Sequence, residues 1–505
     1  MGYTLIIMKV ISCLAMVLFV SVVTAQSIKT DRGVYPEPVP PILPPAGGTF
    51  VDPVFGTTLL RVTDSLDGAD NHQSYSYWPG FNKNAALLYI SSVGGTPTLY
   101  DFDTVHVSIS NKRNLFQSNP VGDGAPNGED AIWSGLHTNI MLCHTGQKLY
   151  SYNVTTNQYT LIRDFSIAYP NIYLWQMSRS MNDSVFAFTY KENVNYTNVG
   201  YLDYRASNNH SDTSHLPTLD EVHVDKTGDY LVIKTGKSGA GVIKVQILNL
   251  HTFAKDYLID NAPDYAPGHS DNGNGFVIGD DNWNNRFTFR QLSSPHTFYS
   301  VMDLNNDWSL GYHASMLADD ESWILFSTFV GDTLPGTGVF RDELYQASTD
   351  GAQNVRRLCH THSDFLHQTN SGNQYYGEPR ANISRNGKFA VFTSNWGSIT
   401  RRDAFVLQIP PVIVTDIAEQ KNTSFLVSPN PARDQLYLRF PALQQTEKTS
   451  ITVFDLAGQG LLHQDVFIDP SAPFEFAVST LSEGIYFIRA TNNKGNSVQK
   501  FVVVR

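Results

Sequence analysis

Histidine is the residue type in this chain best suited to chemistry, and it is unevenly placed. Of 15 His, all but His463 fall between residues 72 and 367. His72, His223, His269 and His313 each precede or open a short apolar run. An imidazole can give or take a proton near neutral pH. Around these His lie Tyr77, Trp78, Trp175, Gln176 and Trp283, with the cations Arg179 and Arg380. Aromatic faces, an amide, imidazoles and guanidinium groups together suit the recognition of a sugar in a concave site. A second cluster is His360-Thr361-His362. Two His at i and i+2 on an extended strand face the same side and can share a metal. With His313 they would form a ligand set for a divalent metal (Mn, Ca or Zn); a polar loop with no ligand is the competing reading. The chain contains no Gly-x-Ser-x-Gly elbow, which speaks against a serine peptidase.

The elements that must carry these residues repeat. Apolar runs recur at Ala86–Ile90, Ile140–Leu142, Val185–Phe188, Tyr230–Ile233, Gly275–Ile278, Trp323–Phe326 and Phe389–Phe392. Each is followed by a second run rich in Tyr or Leu, such as Leu99-Tyr100 or Leu344-Tyr345. Units of roughly 40–50 residues built from short strands indicate a β-propeller with four strands to a blade. Seven units predict seven blades over residues 50–411, and a single large sandwich is the alternative. The run Phe55–Val62 is positioned to supply a strand to the last blade and close the ring. The first strand of a blade lines the central channel, so His72, His223, His269 and His313 would ring one funnel. The competing role for each is a hydrogen bond that ties adjacent blades.

Turn chemistry fits this reading. Asp225-Lys226-Thr227-Gly228 and Ser384-Arg385-Asn386-Gly387 each precede an apolar strand. Gly supplies positive φ there, while Asp, Ser or Asn bonds back to the turn backbone. These turns resemble the Ser-Pro-Asp-Gly turns of TolB-like propellers. With Gly56–Thr63, Gly268–Asp271 and Glu378–Ser384, residues 50–410 resemble oligogalacturonate lyase-type propellers. That resemblance implies a His-rich metal site in the funnel and β-elimination on a uronate polysaccharide. Such chemistry needs a cation on the carboxylate and a base for the adjacent proton. His269 or His223 would be the base, Arg380 or Arg179 the carboxylate clamp, and His313, His360 and His362 the metal ligands. A propeller that binds glycan or protein without catalysis would use the same funnel.

The two ends of the chain carry addresses. Residues 1–25 hold one Lys, an apolar core and small residues at Val23 and Ala25. This is the pattern of a cleavable secretory signal; its apolar run is short for the ~20 residues of a membrane span, and no later run is longer. Residues 26–49 include Pro36-Glu37-Pro38-Val39-Pro40-Pro41 and read as a stiff linker. After a second linker, 412–424, residues 425–505 contain Ser428-Pro429-Asn430-Pro431, Asp455-Leu456-Ala457-Gly458 and Glu483-Gly484-Ile485-Tyr486. Their turn residues predict a small antiparallel β-sandwich. Their order resembles the type A C-terminal sorting domain of type IX secretion cargo, which implies the type IX machinery as a partner and an extracellular or cell-surface destination. The fold class is therefore all-β, a seven-bladed propeller followed by a sandwich. Composition agrees: aromatic residues are 12% and charged residues 16%. There is enough apolar side chain to exclude a disordered chain. The net charge of −12 excludes a generic nucleic-acid binder.

Overall fold

The computed structural model describes residues 28–92, 96–126, 131–192, 199–235, 244–258, 269–281, 284–304, 310–330, 338–364, 374–398, 400–411, 425–441, 443–456, 458–492 and 495–505. The signal expected at residues 1–25 lies outside them. The chain divides into two compact units, one ending at Pro411 and the other starting at Val412.

In the first unit the strands form seven consecutive antiparallel sheets among the described residues. Blade 1 holds Leu87–Ile90, Thr98–Asp103 and Ser108–Asn114. Its innermost position is filled by isolated pairings of His72 with Ser91 and Phe81 with Leu88. Blade 2 runs from Ile132 to Asp164, blade 3 from Ile172 to His215 and blade 4 from Leu219 to Leu258. Blade 5 runs from Ser270 to Asp303 and blade 6 from Leu310 to His360. Each of these five has four strands in sequential order. Blade 7 combines Asn382–Ile383, Phe389–Ser394 and Asp403–Gln408 with Thr58–Arg61 and Thr49–Val51 from the start of the unit. The pairing of Leu59 with Leu407 and Leu60 with Val406 closes the ring. Closure leaves no long free sheet edge.

The blades form because their middle strands are apolar on both faces. Phe389–Ser394 is buried along its whole length. The turns that feed these strands are held by side chains. Asp225 Oδ1 accepts from the backbone N–H of Gly228, Asp229 and Tyr230 at 3.1, 2.9 and 2.9 Å. Gly228 has φ +85°, a conformation that costs glycine little. Ser384 Oγ plays the corresponding part in blade 7, accepting from Phe389 N at 3.0 Å. Cys143 and Cys359 are buried in separate core clusters, and no disulfide joins them.

The proline-rich stretch is extended, as its composition demands, but it does not hang free. Lys29 pairs with Arg357 on the outer strand of blade 6. Trp396 Nε1 donates to Pro41 O at 2.9 Å, and Arg61 Nη1 donates to Pro44 O at 2.9 Å. The segment is a strap across blades 6 and 7. Its carbonyls serve as hydrogen-bond acceptors because proline leaves them without ladder partners.

The second unit packs two sheets face to face. One contains Leu426–Ser428, Gln435–Arg439 and Phe474–Ala477; the other contains Glu447–Phe454, Gly460–Ile468, Gly484–Asn492 and Gly495–Val503. Leu436, Leu438, Ile451, Val453, Ile488 and Phe501 are fully buried between them, the alternating inward pattern of a sandwich. Among the described residues, no helix is long and apolar enough to cross a membrane.

Candidate functional site

The funnel is built around an intrusion. In blade 1 the chain makes a tight turn at Tyr75–Trp78, closed by Trp78 N donating to Tyr75 O at 3.2 Å. This turn reaches other blades. Trp78 Nε1 donates to Met177 O of blade 3 at 2.9 Å. Tyr77 Oη donates to Glu221 Oε1 of blade 4 at 3.2 Å, and its ring meets His223 edge-on at 4.4 Å. Tyr75 packs edge-on against His313 of blade 6 at 5.0 Å.

Glu221 and His223 alternate along the first strand of blade 4, so they share its inner face. His223 Nε2 lies 2.8 Å from Glu221 Oε2, which also accepts from Lys234 Nζ at 3.1 Å. Burial alone would raise the pKa of Glu221, but Lys234 and His223 hold it well below the usual carboxylate range. An ionised Glu221 accepts, so Nε2 of His223 is the donor and Nδ1 is the nitrogen left over. A cavity of about 60 Å³ continues beneath Tyr77 and His223, lined also by Ser178, Lys226 and Asp271.

His269, His313, Glu378 and Arg380 form a second group, with Lys234 and Glu221 near enough to act on His269 and His313. His313 is fully buried, and neither ring nitrogen has a hydrogen-bond partner among the described residues. Its ring lies 4.7 Å from that of His269, and Nε2 is 3.5 Å from Glu378 Oε2. Burial pushes the His313 pKa well down, so the ring is neutral. Enclosure by the funnel wall and the Lys234 charge also lower that of His269, although its ring stays open to solvent at the rim. Burial raises Glu378 to about 7, against the pull of Arg380.

Arg380 is fully buried. Nη1 donates to Ser74 O at 3.0 Å, while Nε and Nη2 have no partner among the described residues. The guanidinium lies 4.7 and 5.0 Å from the ring centroids of Tyr375 and Tyr376. Its backbone has φ +41°, uncommon for a residue with a side chain and typical of places where a site sets the geometry. His72 is fully buried against Tyr376 with its Nε2 unpartnered. Burial lowers its pKa to about 4.

The funnel thus gathers Tyr77, Trp78, His72, His223, His269, His313 and Arg380, and other sequence expectations are redistributed. Arg179 does not serve as a carboxylate clamp. Nε and Nη2 donate to Trp133 O at 2.9 and 2.7 Å, Nη1 donates to Ser180 O at 2.9 Å, and Asp183 lies 3.2 Å away. It ties blade 3 to blade 2. Gln176 Oε1 accepts from Thr189 at 3.5 Å within blade 3. Trp175 is 37% exposed, with Lys191 Nζ 3.2 Å from its ring centroid. Trp283 lies outside the described residues.

The proposed metal set of His313, His360 and His362 is not assembled. His360 Nε2 donates to Tyr35 O at 2.9 Å, and its Nδ1 is 3.8 Å from Asp52. His362 Nδ1 is 3.1 Å from Glu37. Both belong to the strap. Among the described residues no three His, Cys, Asp or Glu group at metal-binding spacing. Arg380 also places a permanent positive charge beside His313 and Glu378. The described residues therefore do not by themselves assemble the divalent-metal site that the lyase resemblance implies.

Lys234 and Asn382 are the contributors that sequence reasoning missed. A lone Lys inside Tyr230-Leu231-Val232-Ile233-Lys234 was a usable signal, because a buried strand rarely carries an unpaired charge. The sequence offered no comparable signal for Asn382.

Comparison with known proteins bears on both units. Residues 426–504 match the family model of the secretion system C-terminal sorting domain. No curated protein sequence matches the chain. An oligogalacturonate lyase from Vibrio parahaemolyticus is similar in structure, with TM-score 0.53 and 11% identity over 74% of this chain and 98% of that one. Hydrazine synthase from Kuenenia stuttgartiensis aligns with TM-score 0.41 and 10% identity, over 67% of this chain and 97% of that one. At such identities the likeness concerns the fold alone. The chain is a cargo of type IX secretion, a β-propeller joined to a C-terminal sorting domain and destined for the cell surface or the extracellular space.

Proposed function

We propose that the mouth of the propeller binds an acidic polysaccharide and cleaves it by β-elimination at a uronate. The observation that carries this reading is Arg380, a fully buried guanidinium with two nitrogens left unpaired among the described residues. A buried guanidinium with donors to spare is costly, and a carboxylate matches its fork. The aromatic rings of Tyr75, Tyr77 and Tyr375 flank the same space and suit the apolar faces of sugars.

In the proposed reaction Arg380 neutralises the uronate carboxylate and so acidifies the adjacent carbon. His223 Nδ1, aimed by the bond from Nε2 to Glu221, takes that proton. The released electron pair becomes the new carbon–carbon double bond as the glycosidic carbon–oxygen bond breaks. The leaving oxygen takes up the proton that His223 removed, directly or through water, so the step is balanced and needs no oxidant or reductant. Proton transfer by a positioned side chain contributes about 10²–10⁴-fold to such a rate.

His72 and His313 favour a second reading. Neutral imidazoles with unpaired nitrogens can bind hydroxyl groups without removing a proton, as a non-catalytic glycan-binding propeller would require. One experiment separates the readings. The full secreted chain is incubated with polygalacturonate, ulvan and alginate while ultraviolet absorbance reports unsaturated uronate and calorimetry reports binding. A rise in absorbance that falls about 10²–10⁴-fold in His223→Ala supports cleavage. Binding without a rise supports the second reading, and neither signal rejects both.

A further inference from the structure

Asn382 opens the first strand of blade 7, yet its side chain serves blade 1. It is fully buried. Its Nδ2 lies within hydrogen-bond distance of Gln73 Oε1 at 2.7 Å, Trp78 O at 3.0 Å and Tyr75 O at 3.2 Å. Its Oδ1 accepts from Gly80 N at 3.2 Å. An amide offers two N–H bonds and one carbonyl, and every one of these is directed at the segment between Gln73 and Gly80. The approach is close: a Cβ at Gly80 would stand 2.8 Å from Val391 of blade 7. From this anchored segment Trp78 reaches Met177, Tyr77 reaches Glu221 and His223, and Tyr75 reaches His313.

We propose that Asn382 is the positioning residue of the funnel, fixing the turn that holds Tyr77 against the Glu221–His223 pair and Tyr75 against His313. One amide on blade 7 thereby sets what blades 3, 4 and 6 present to a ligand. Backbone carbonyls alone could not do this, because the Tyr75–Trp78 turn belongs to no regular ladder and its outward groups need a partner. The positioning role rests on the geometry; only its effect on affinity depends on the acidic-glycan reading.

The test compares Asn382→Ala and the nearly isosteric Asn382→Asp with Asn82→Ala. Asn82 also joins two blades, with Nδ2 donating to Thr138 O at 2.6 Å and Oδ1 accepting from Leu87 N at 3.0 Å. It makes neither of the tyrosine–histidine contacts. The imidazole proton resonances of His223 and His313 feel the ring currents of Tyr77 and Tyr75. Both are expected to move in the Asn382 variants and to stay in place in Asn82→Ala, at matched loss of melting temperature. Affinity for the uronate polymer is expected to fall about tenfold in the Asn382 variants, the size of one lost hydrogen bond. Unchanged resonances in a folded Asn382 variant, or equal changes in Asn82→Ala, overturn the proposal. If one Asn382 variant does not fold, the other decides. Moved resonances with no uronate binding by wild type would retain the positioning role and reject the binding reading.

Discussion

His313 and His360 are both fully buried histidines on blade 6, and they face opposite fates. His360 ends the outermost strand, where the strap lays Tyr35 O against its Nε2 at 2.9 Å. His313 lies on the innermost strand, and the described residues supply no hydrogen bond to either of its nitrogens. Burial and residue type are the same; the chain bonds one nitrogen of His360, whose Nδ1 has no hydrogen-bond partner among the described residues, and neither nitrogen of His313. A ring bonded to the chain holds structure together, whereas a buried ring without such a bond is a candidate to meet a ligand. The arginines repeat the lesson. Arg179 is committed on three nitrogens to backbone carbonyls, while Arg380 has two nitrogens unpaired.

The sharpest way to break this comparison is through the arginine. Arg380→Ala is expected to weaken binding of a uronate polymer about hundredfold or more, as removal of a buried charged partner does, measured by calorimetry. Its melting temperature should also fall, since a fully buried side chain, its bond to Ser74 O and its contacts with the Tyr375 and Tyr376 rings are lost, so affinity is read on the folded variant. Unchanged affinity would put Arg380 on the structural side with Arg179.

The strap histidines should respond in the opposite way. His360→Ala is expected to lower stability by about 1–3 kcal/mol, because a fully buried ring and its bond to Tyr35 O would be lost. Denaturant unfolding reports this, while affinity for the polymer should hold. A loss of affinity without a loss of stability would return His360 to the binding site.

The smallest effect concerns pH. Glu378 titrates at about 7, raised by burial. Below that pH it is protonated and neutral, so it no longer repels an anionic ligand at Arg380. Affinity should therefore rise up to about tenfold as pH falls from about 8 to 6, one pH unit of coupling being a factor of ten. Calorimetry across this range checks it. The rise should vanish in Glu378→Gln.

Much of the architecture was legible before any coordinates. The repeated apolar runs and the Asp225 and Ser384 turns are local signals: each strand is read from its own residues, and each turn from a Gly at positive φ. The sorting domain was equally legible, because its turn residues fall in a fixed order within 80 residues. The site was legible only as a pool of candidates. His223, His313 and Arg380 come from blades 4, 6 and 7 and meet only when the ring closes. The pair His360-x-His362 looked like ligands because i,i+2 spacing on a strand does place two rings on one side. Nothing in that spacing shows that Glu37 and Tyr35, more than 300 residues earlier, come to meet them.

The sequence by itself determined an exported, all-β chain of repeated blades with a C-terminal address, because those properties follow from short-range patterns of burial and turn chemistry. The tertiary structure alone decided which histidines and arginines have been used up. That depends on contacts across blades and on a strap whose proline carbonyls accept bonds from distant side chains. Long-range hydrogen bonds of this kind leave no local trace, and they separate the candidate site from the scaffold.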